Sequence, residues 1–262
     1  MSEVQGRPAS TMSTERRYGI AISVALILGG FYWALTGLTE GTKNSQDTYP
    51  VQGTALSIKS SSTDLEVRSG DVSEITVDRR FERNVFGSDP KDKYKDGKLE
   101  IRDTGCGFLS IGCDTDYVVT VPKDLKVSID SSSGDLNVSG LAGGADLKTD
   151  SGDIEAHGMG GVLTLESSSG DLKADDLTAS SVQSDSSSGD VDLIFNEAPS
   201  SVDAKTSSGD VTVLLPSGDE AYKVDTDTSS GDESANVKID PSALRTIKAE
   251  TSSGDVTVEY HR

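Results

Sequence analysis

The chain has 262 residues, enough for one or two domains with a buried core. Aromatic residues make up only 5% of it, so the core must consist mainly of Val, Leu, Ile and Ala. The formal net charge of −20 argues against binding to nucleic acid or anionic lipid, since such a surface repels both. The only histidines are His157 and His261, which disfavours histidine-based hydrolases and transition-metal sites.

The first predicted element is a membrane span. Residues 18–38 are 21 consecutive uncharged residues, the length that a helix needs to cross a bilayer. Arg16 and Arg17 precede the run, which predicts that residues 1–17 form a cytoplasmic tail. The rest of the chain is then extracytoplasmic, beginning with a polar stalk over residues 39–50. A cleaved signal peptide is the alternative reading of the same run.

Residues 51–123 follow as an irregular β cap region. Its predicted strands are Ala55–Val67, Glu74–Phe81, Lys98–Arg102 and Asp116–Val121, with a polar loop between the second and third. Cys106 and Cys113 flank a short loop with two glycines outside the membrane, where we expect a disulfide. Free thiols are the alternative, and a metal site is disfavoured because neither histidine is near in sequence.

Residues 124–262 contain a recurring Ser-Gly-Asp motif. Most copies are followed by an apolar-x-apolar run such as Leu172-Lys173-Ala174, which is typical of a half-buried strand. A second alternating segment precedes most of the motifs, so each unit of about 20 residues holds two strands. The unit around Gly231 departs from the pattern, with Glu233-Ser234-Ala235 after the turn. The glycines of the seven units are Gly134, Gly152, Gly170, Gly189, Gly209, Gly231 and Gly254.

Two architectures fit this array. In a single-stranded β-solenoid each unit is one coil that pairs with its neighbours, and similar turns stack in one column. In a β-sandwich the units are hairpins. The solenoid is favoured, because extra residues in the longer units can bulge out on the side opposite the turns. We therefore predict an all-β, β-helix-like ectodomain behind one N-terminal transmembrane helix.

The run Tyr117–Val127, Tyr-Val-Val-Thr-Val-Pro-Lys-Asp-Leu-Lys-Val, leads into these Ser-Gly-Asp units. This pattern resembles the bacterial putative-adhesin family of β-strand repeats, domain of unknown function 4097, which is related to toast-rack envelope domains. The resemblance covers about residues 51–262. It implies a β-solenoid-like domain at the cell envelope, in some cases linked to envelope stress, with no established catalytic residues.

The aspartates of the motif are candidate calcium ligands. Stacked turns would place their carboxylates in a column, where mutual repulsion must be offset by hydrogen bonds or by a cation. The units lack the Gly-Gly-x-Gly-x-Asp pattern of calcium-binding rolls, so a role of each Asp in forming the turn is favoured over Ca²⁺ binding. The residues concerned are Asp135, Asp153, Asp171, Asp190, Asp210, Asp232 and Asp255.

The sequence therefore predicts a non-catalytic, membrane-anchored protein that acts as a binding, adhesion or envelope-stress scaffold module without a cofactor. Its ligand is an envelope or surface component. A polysaccharide-active β-helix enzyme is an alternative, but residues 124–262 carry 27 acidic and 9 basic residues, a poor match to acidic sugars. A calcium-dependent surface module is the other alternative.

Overall fold

The computed structural model describes residues 39–84, 91–102 and 115–261. The tail 1–17, the expected span 18–38 and the cysteines Cys106 and Cys113 lie outside these residues, so the anchor and the disulfide stay predictions. The described part of the chain is all β-structure, without helices. It accordingly holds no helix that could cross a bilayer.

Twenty-one strands make up the fold. In chain order they are β1 (Thr39–Pro50), β2 (Ala55–Ser60), β3 (Leu65–Gly70), β4 (Glu74–Asn84), β5 (Lys91–Lys95), β6 (Lys98–Arg102), β7 (Thr115–Pro122), β8 (Lys126–Ser131), β9 (Leu136–Ser139), β10 (Ala145–Thr149), β11 (Ile154–His157), β12 (Val162–Ser167), β13 (Leu172–Leu177), β14 (Ser181–Ser186), β15 (Val191–Phe195), β16 (Ser201–Ser208), β17 (Val211–Pro216), β18 (Tyr222–Thr228), β19 (Glu233–Asn236), β20 (Arg245–Ser253) and β21 (Val256–His261).

The strands form two sheets that share one apolar core. From β8 onward each even-numbered strand lies in a ten-stranded sheet, sheet B, and each odd-numbered strand in an eleven-stranded sheet, sheet A. A Ser-Gly-Asp turn joins the two strands of one coil. The apolar residues that alternate along the strands point inward, as Leu172 and Ala174 do on either side of exposed Lys173. Alternation thus builds the core from small aliphatic residues.

Neighbouring coils pair in parallel and in register. Leu147 lies opposite Leu165 in sheet B, and Ile154 opposite Leu172 in sheet A, so like residues stack on like. The hairpins of the sandwich alternative would pair antiparallel within a unit. Among the described strands, antiparallel pairing is confined to β1–β4, β4–β7 and β5–β6 at one end. The repeat array is therefore solenoid-like.

The order of coils in space differs from their order in the chain at both ends. Strands β20 and β21, the last in sequence, lie between the Gly209 coil and the Gly231 coil. At the other end β2 and β3 pair with β8 and β9, and the later strands β6 and β7 lie outside them. Strands β2 and β3 form a divergent first coil of the repeat, in which Ser62-Thr63-Asp64 stands in place of Ser-Gly-Asp. This regular coil lies inside the stack, in the region for which the sequence predicts an irregular cap.

The position of the Gly231 coil at the end of the stack explains its unusual sequence. Glu233 lies opposite Val256, in the column that is apolar in the interior coils. At the end of the stack its carboxylate instead accepts hydrogen bonds from Thr226 Oγ1 at 2.9 Å and from the Thr228 backbone N–H at 3.4 Å. Terminal repeats need a polar outer surface, which this coil provides.

Residues 39–50, for which the sequence suggested a flexible stalk, form β1 and pair along their length with β4. Polar contacts bind this strand to the fold. Tyr49 donates a hydrogen bond of 2.6 Å to Asp92 and stacks on Tyr94, with ring centroids 4.9 Å apart. Arg79, nearly buried, forms ion pairs with both Asp47 and Asp92. The chain therefore enters the folded domain directly at Thr39.

Candidate functional site

The aspartates of the Ser-Gly-Asp turns form a hydrogen-bonded ladder along one edge of the stack. Each donates its backbone N–H to the carboxylate of an aspartate in the adjacent coil. The acceptor always lies on the side of the stack that holds β2 and β3, whatever its position in the chain. For example, Asp171 N lies 2.8 Å from Asp153 Oδ1. The donor and acceptor pairs are Asp135 with Asp64, Asp153 with Asp135, Asp171 with Asp153, Asp190 with Asp171, Asp210 with Asp190, Asp255 with Asp210, and Asp232 with Asp255.

The glycines of the turns pack against the backbone of the adjacent coil. Gly170 has a φ of +142°, and a Cβ added there would lie 2.0 Å from the carbonyl oxygen of Gly152. The equivalent distance from Gly254 to the Gly209 oxygen is 2.1 Å. No side chain fits at such a distance, so the close approach of the coils itself requires glycine.

A third column, of hydroxyl groups that are buried in all units except the terminal one, lies three residues before each glycine. Thr206 Oγ1 donates to the carbonyl oxygen of Gly189 at 3.0 Å, and Thr251 Oγ1 to that of Gly209 at 2.9 Å. Sequence analysis missed this column, although Ser or Thr recurs at this position in every unit. Its members are Ser131, Thr149, Ser167, Ser186, Thr206, Thr228 and Thr251.

The seven candidate calcium ligands therefore come together in one column, as the stacking of the turns requires. One carboxylate oxygen of most of them already accepts a backbone N–H, which offsets the repulsion between neighbours. Among the described residues, no three His, Cys, Asp or Glu side chains are grouped as they would be around a metal ion. Binding of Ca²⁺ stays a hypothesis, and the ladder shows what each aspartate does for the turn.

Sheet A carries a groove on its outer surface. Three adjoining depressions of about 590, 440 and 320 Å³ follow one another across the strands. The first two share Glu66 and Asn137, and the last two share Lys173 and Asp175. The central outward-facing residue of each strand forms the floor of this groove. These residues are Glu66, Asn137, Glu155, Lys173, Asp192 and Thr212.

Two ionisable groups in the groove have shifted pKa values. His157 contacts the carboxylate of Asp175 through Nδ1, and its Nε2 lies 3.7 Å from Asp176. The hydrogen bond and the charge of Asp175 raise the pKa of the imidazole. Partial burial raises the pKa of Asp192, and the negative charge of Asp190 adds to this effect. The other histidine, His261, has its Nε2 2.8 Å from the carbonyl oxygen of Phe195.

The outer surface of sheet B differs from that of sheet A. There, lysines and acidic residues on adjacent strands pair with one another, as Lys148 and Glu166 do at 2.8 Å and Lys59 and Asp130 at 3.2 Å. Lys248 contacts Glu250 at 2.6 Å. These pairs satisfy many of the charges of that face within the protein. The groove face also has ion pairs, Arg68 with Glu66 and Lys173 with Asp171, both at 3.7 Å, while Glu155 has none among the described residues.

The Toastrack DUF4097 family model matches residues 53–261. The chain belongs to this family. The match includes all seven Ser-Gly-Asp units and the divergent first coil, so the stacked coils as a whole are the family domain and β1 precedes it. This confirms the family resemblance of the sequence.

Solved structures show the same fold. A putative adhesin from Bacteroides fragilis is 16% identical, with a TM-score of 0.52, and the match covers 84% of this chain and 97% of the other. A putative adhesin from Parabacteroides distasonis is 14% identical, with a TM-score of 0.49, and the match covers 85% of this chain and 98% of that one. No curated protein matches the sequence. At this identity the likeness concerns the Toastrack fold alone.

Proposed function

We propose that this Toastrack protein is a membrane-anchored, extracytoplasmic binding module that holds a surface ligand without catalysis. The observation that carries the proposal is the difference between the two outer faces. Both are built from the same repeat, yet sheet A forms a polar groove of three adjoining depressions over β1 to β17, whereas sheet B has a smaller depression of about 240 Å³, beside which Lys148 and Glu166 pair with each other. Concave surfaces with a few polar groups placed to contact a ligand are typical binding sites.

Three further observations support the proposal of a membrane-anchored binding module. The uncharged run 18–38 ends immediately before β1, so the anchor would join the folded domain without a spacer. The Bacteroides fragilis structure is named a putative adhesin, and a binding role comes to this chain by that analogy. The rigid ladder of the turns would hold the groove in one shape.

Topology and binding can be tested on intact cells that express the full chain with a tag at each end. External protease should remove the C-terminal tag and leave the N-terminal tag protected. A soluble mature protein that begins near residue 37 would contradict the anchor.

A photo-reactive amino acid at Asn137, on the groove floor, should then form a covalent adduct on the cell surface. The same group at Gln183, on the outer face of sheet B, is the matched control and should form none. Adducts at neither position, or equal yields at both, would contradict a ligand-binding groove.

A further inference from the structure

We propose that copies of this protein join head to tail, by antiparallel pairing of β18 at one end of sheet B with β5 of the next copy. This contact lies outside the groove and does not depend on the ligand proposed for it. Two observations carry it: both strands have a free backbone edge, and their outward side chains have opposite charge.

Strand β18 has a free backbone edge beyond its first residue. It ends sheet B in space, and β20 is its only partner among the described strands. Tyr222 turns its backbone groups away from β20, since its N–H donates to the Lys238 carbonyl and its carbonyl accepts from Asp240. Backbone direction alternates along a strand, so the groups of Val224 and Thr226 point the same way, where no described backbone group pairs with them. This edge can accept a further strand.

Strand β5 ends sheet B on the other side and also has a free edge. A two-residue turn, Asp96-Gly97 with φ of +52° and +73°, joins it to β6. Such a turn makes the flanking residues Lys95 and Lys98 a hydrogen-bonded pair. The backbone groups of Tyr94 therefore point away from β6, which is the only described partner strand of β5.

The two edges match in direction and register. The described strands of sheet B are parallel except for β5, so β18 and the β5 of a copy stacked in the same orientation are antiparallel. Pairing Thr226 with Tyr94 aligns the free backbone groups and keeps both side chains on the inward side. The hairpin turn of that copy then lies beside Val224, clear of Ile239, which occupies the edge of β18 at Tyr222.

The outward side chains of the two edges are complementary in charge. This register places Asp227 opposite Lys93 of the next copy and Asp225 opposite Lys95, and all four side chains are exposed. Opposite charges directly across a strand pair stabilise it, and like charges destabilise it. Two copies of β5 cannot pair in this way, since lysines would lie opposite lysines.

Part of this charge is not balanced within one copy. Asp227 lies opposite Glu250 on β20, and Lys95 lies opposite Lys98 on β6. Lys95 also contacts Asp96 of the turn at 3.9 Å. The other member of each pair already faces an opposite charge in its own sheet, Asp225 facing Lys248 and Lys93 facing Glu100. Asp227 and Lys95 therefore gain most from the contact.

Head-to-tail contacts repeat, so they produce a row of copies and not a closed pair. The paired edges are short, since β5 has five residues, so each contact is weak and the row requires a high local concentration. Copies anchored as proposed above could form such a row along the membrane surface.

The first test treats the full chain in detergent micelles, at physiological salt, with a zero-length reagent that joins amines to carboxylates. Within one copy β5 and β18 are separated by nine strand steps, about 43 Å, so a cross-link between their side chains joins two copies. We expect Lys93 to be joined to Asp227 and Lys95 to Asp225, with yields that rise with protein concentration. Absence of both cross-links up to about 1 mM, the effective concentration of tethered molecules, would overturn the proposal.

The second test reverses the charges and measures self-association by sedimentation velocity. Lys93→Glu/Lys95→Glu and Asp225→Lys/Asp227→Lys should each weaken it at least about tenfold, because each places like charges across the contact. The two variants change the net charge in opposite directions, so a general electrostatic effect would not weaken both. An equal mixture of the two variants restores both charge pairs and should associate within about threefold of the parent protein.

The matched control is Glu155→Lys/Asp185→Lys, on the exposed faces of interior strands β11 and β14, which should change self-association less than about twofold. Melting temperatures establish that each variant is folded, and the two reversals lie at opposite ends of the sheet, so either one tests the contact independently. Self-association that is unchanged by the reversals, is not restored in the mixture, or is weakened equally by the control would overturn the proposal.

Discussion

Asp255 donates its backbone N–H to Asp210 Oδ1 at 2.8 Å, although the two residues are 45 positions apart. Asp232, which lies between them in sequence, is one coil farther out and donates to Asp255 at 2.8 Å. The last coil of the chain is therefore an interior coil with a neighbour on both sides. Strands β20 and β21 are thus held between two coils, and the Gly231 coil closes the stack.

The rate of amide hydrogen exchange in each strand should follow the position of its coil in the stack. In the full chain, amides of β21 should exchange as slowly as those of β17, because both are central strands, whereas amides of β19 should exchange faster. Mass spectrometry of peptic fragments measures this directly. Faster exchange in β21 than in β19 would show that the coils stack in chain order.

Substitution Gly170→Ala should lower the free energy of unfolding by at least about 2 kcal/mol. The added Cβ meets the carbonyl of Gly152, and the positive φ is itself unfavourable for alanine. Ser168→Ala in the same turn is the control, since that side chain is exposed, and it should change stability by less than about 0.5 kcal/mol. Denaturant titration compares the two. Similar, small effects would argue against the close packing of the turns.

Two buried serines of β14 should respond to alanine in opposite directions. The hydroxyl of Ser184 has no hydrogen-bond partner within the described residues, whereas Ser186 Oγ donates to the Ser188 carbonyl at 3.1 Å. Ser184→Ala should therefore raise the free energy of unfolding by about 1 kcal/mol, and Ser186→Ala should lower it by about as much. Chemical denaturation measures both. A loss of stability in Ser184→Ala would contradict the assignment of an unpaired buried hydroxyl.

The pKa of His157 should lie above the usual value of about 6.5, and Asp175→Asn should lower it. Because the folded-state pKa is raised, the contact stabilises the protein fully below the unfolded-state pKa, and this contribution is lost as pH rises through the folded-state value. The effect on stability should be small, since both side chains are exposed. NMR titration of the histidines in the parent protein and in the variant measures the pKa of His157 in each. An unchanged pKa in Asp175→Asn would contradict the pairing.

Salt should raise the melting temperature of the full chain, because it screens repulsion within a protein of net charge −20. We expect CaCl₂ at matched ionic strength to add little beyond the effect of MgCl₂, since the hydrogen bonds of the ladder already offset part of the repulsion. Differential scanning calorimetry compares the salts. An increase with Ca²⁺ alone, abolished in Asp171→Asn/Asp190→Asn, would make this a calcium-dependent module.

The repeat itself could be predicted from sequence, because its signals are local. A glycine that must take positive φ, an aspartate beside it and apolar residues at every second position specify a turn between two half-buried strands. Repetition of the unit specifies the stacking, since one coil cannot bury its own apolar face. The family and the aspartate column followed from the same pattern.

The order of the coils, the strand β1 and the groove were decided by tertiary structure. Nothing local in Val256–Val258 distinguishes a terminal coil from an interior one, and only the polar Glu233 signalled which unit covers the end. The strand β1 has no apolar alternation, and it is stabilised by partners far along the chain, such as Asp92 and Tyr94. The groove depends on which outward residues the register brings side by side, so Glu66 and Glu155, 89 residues apart in sequence, come to line one surface.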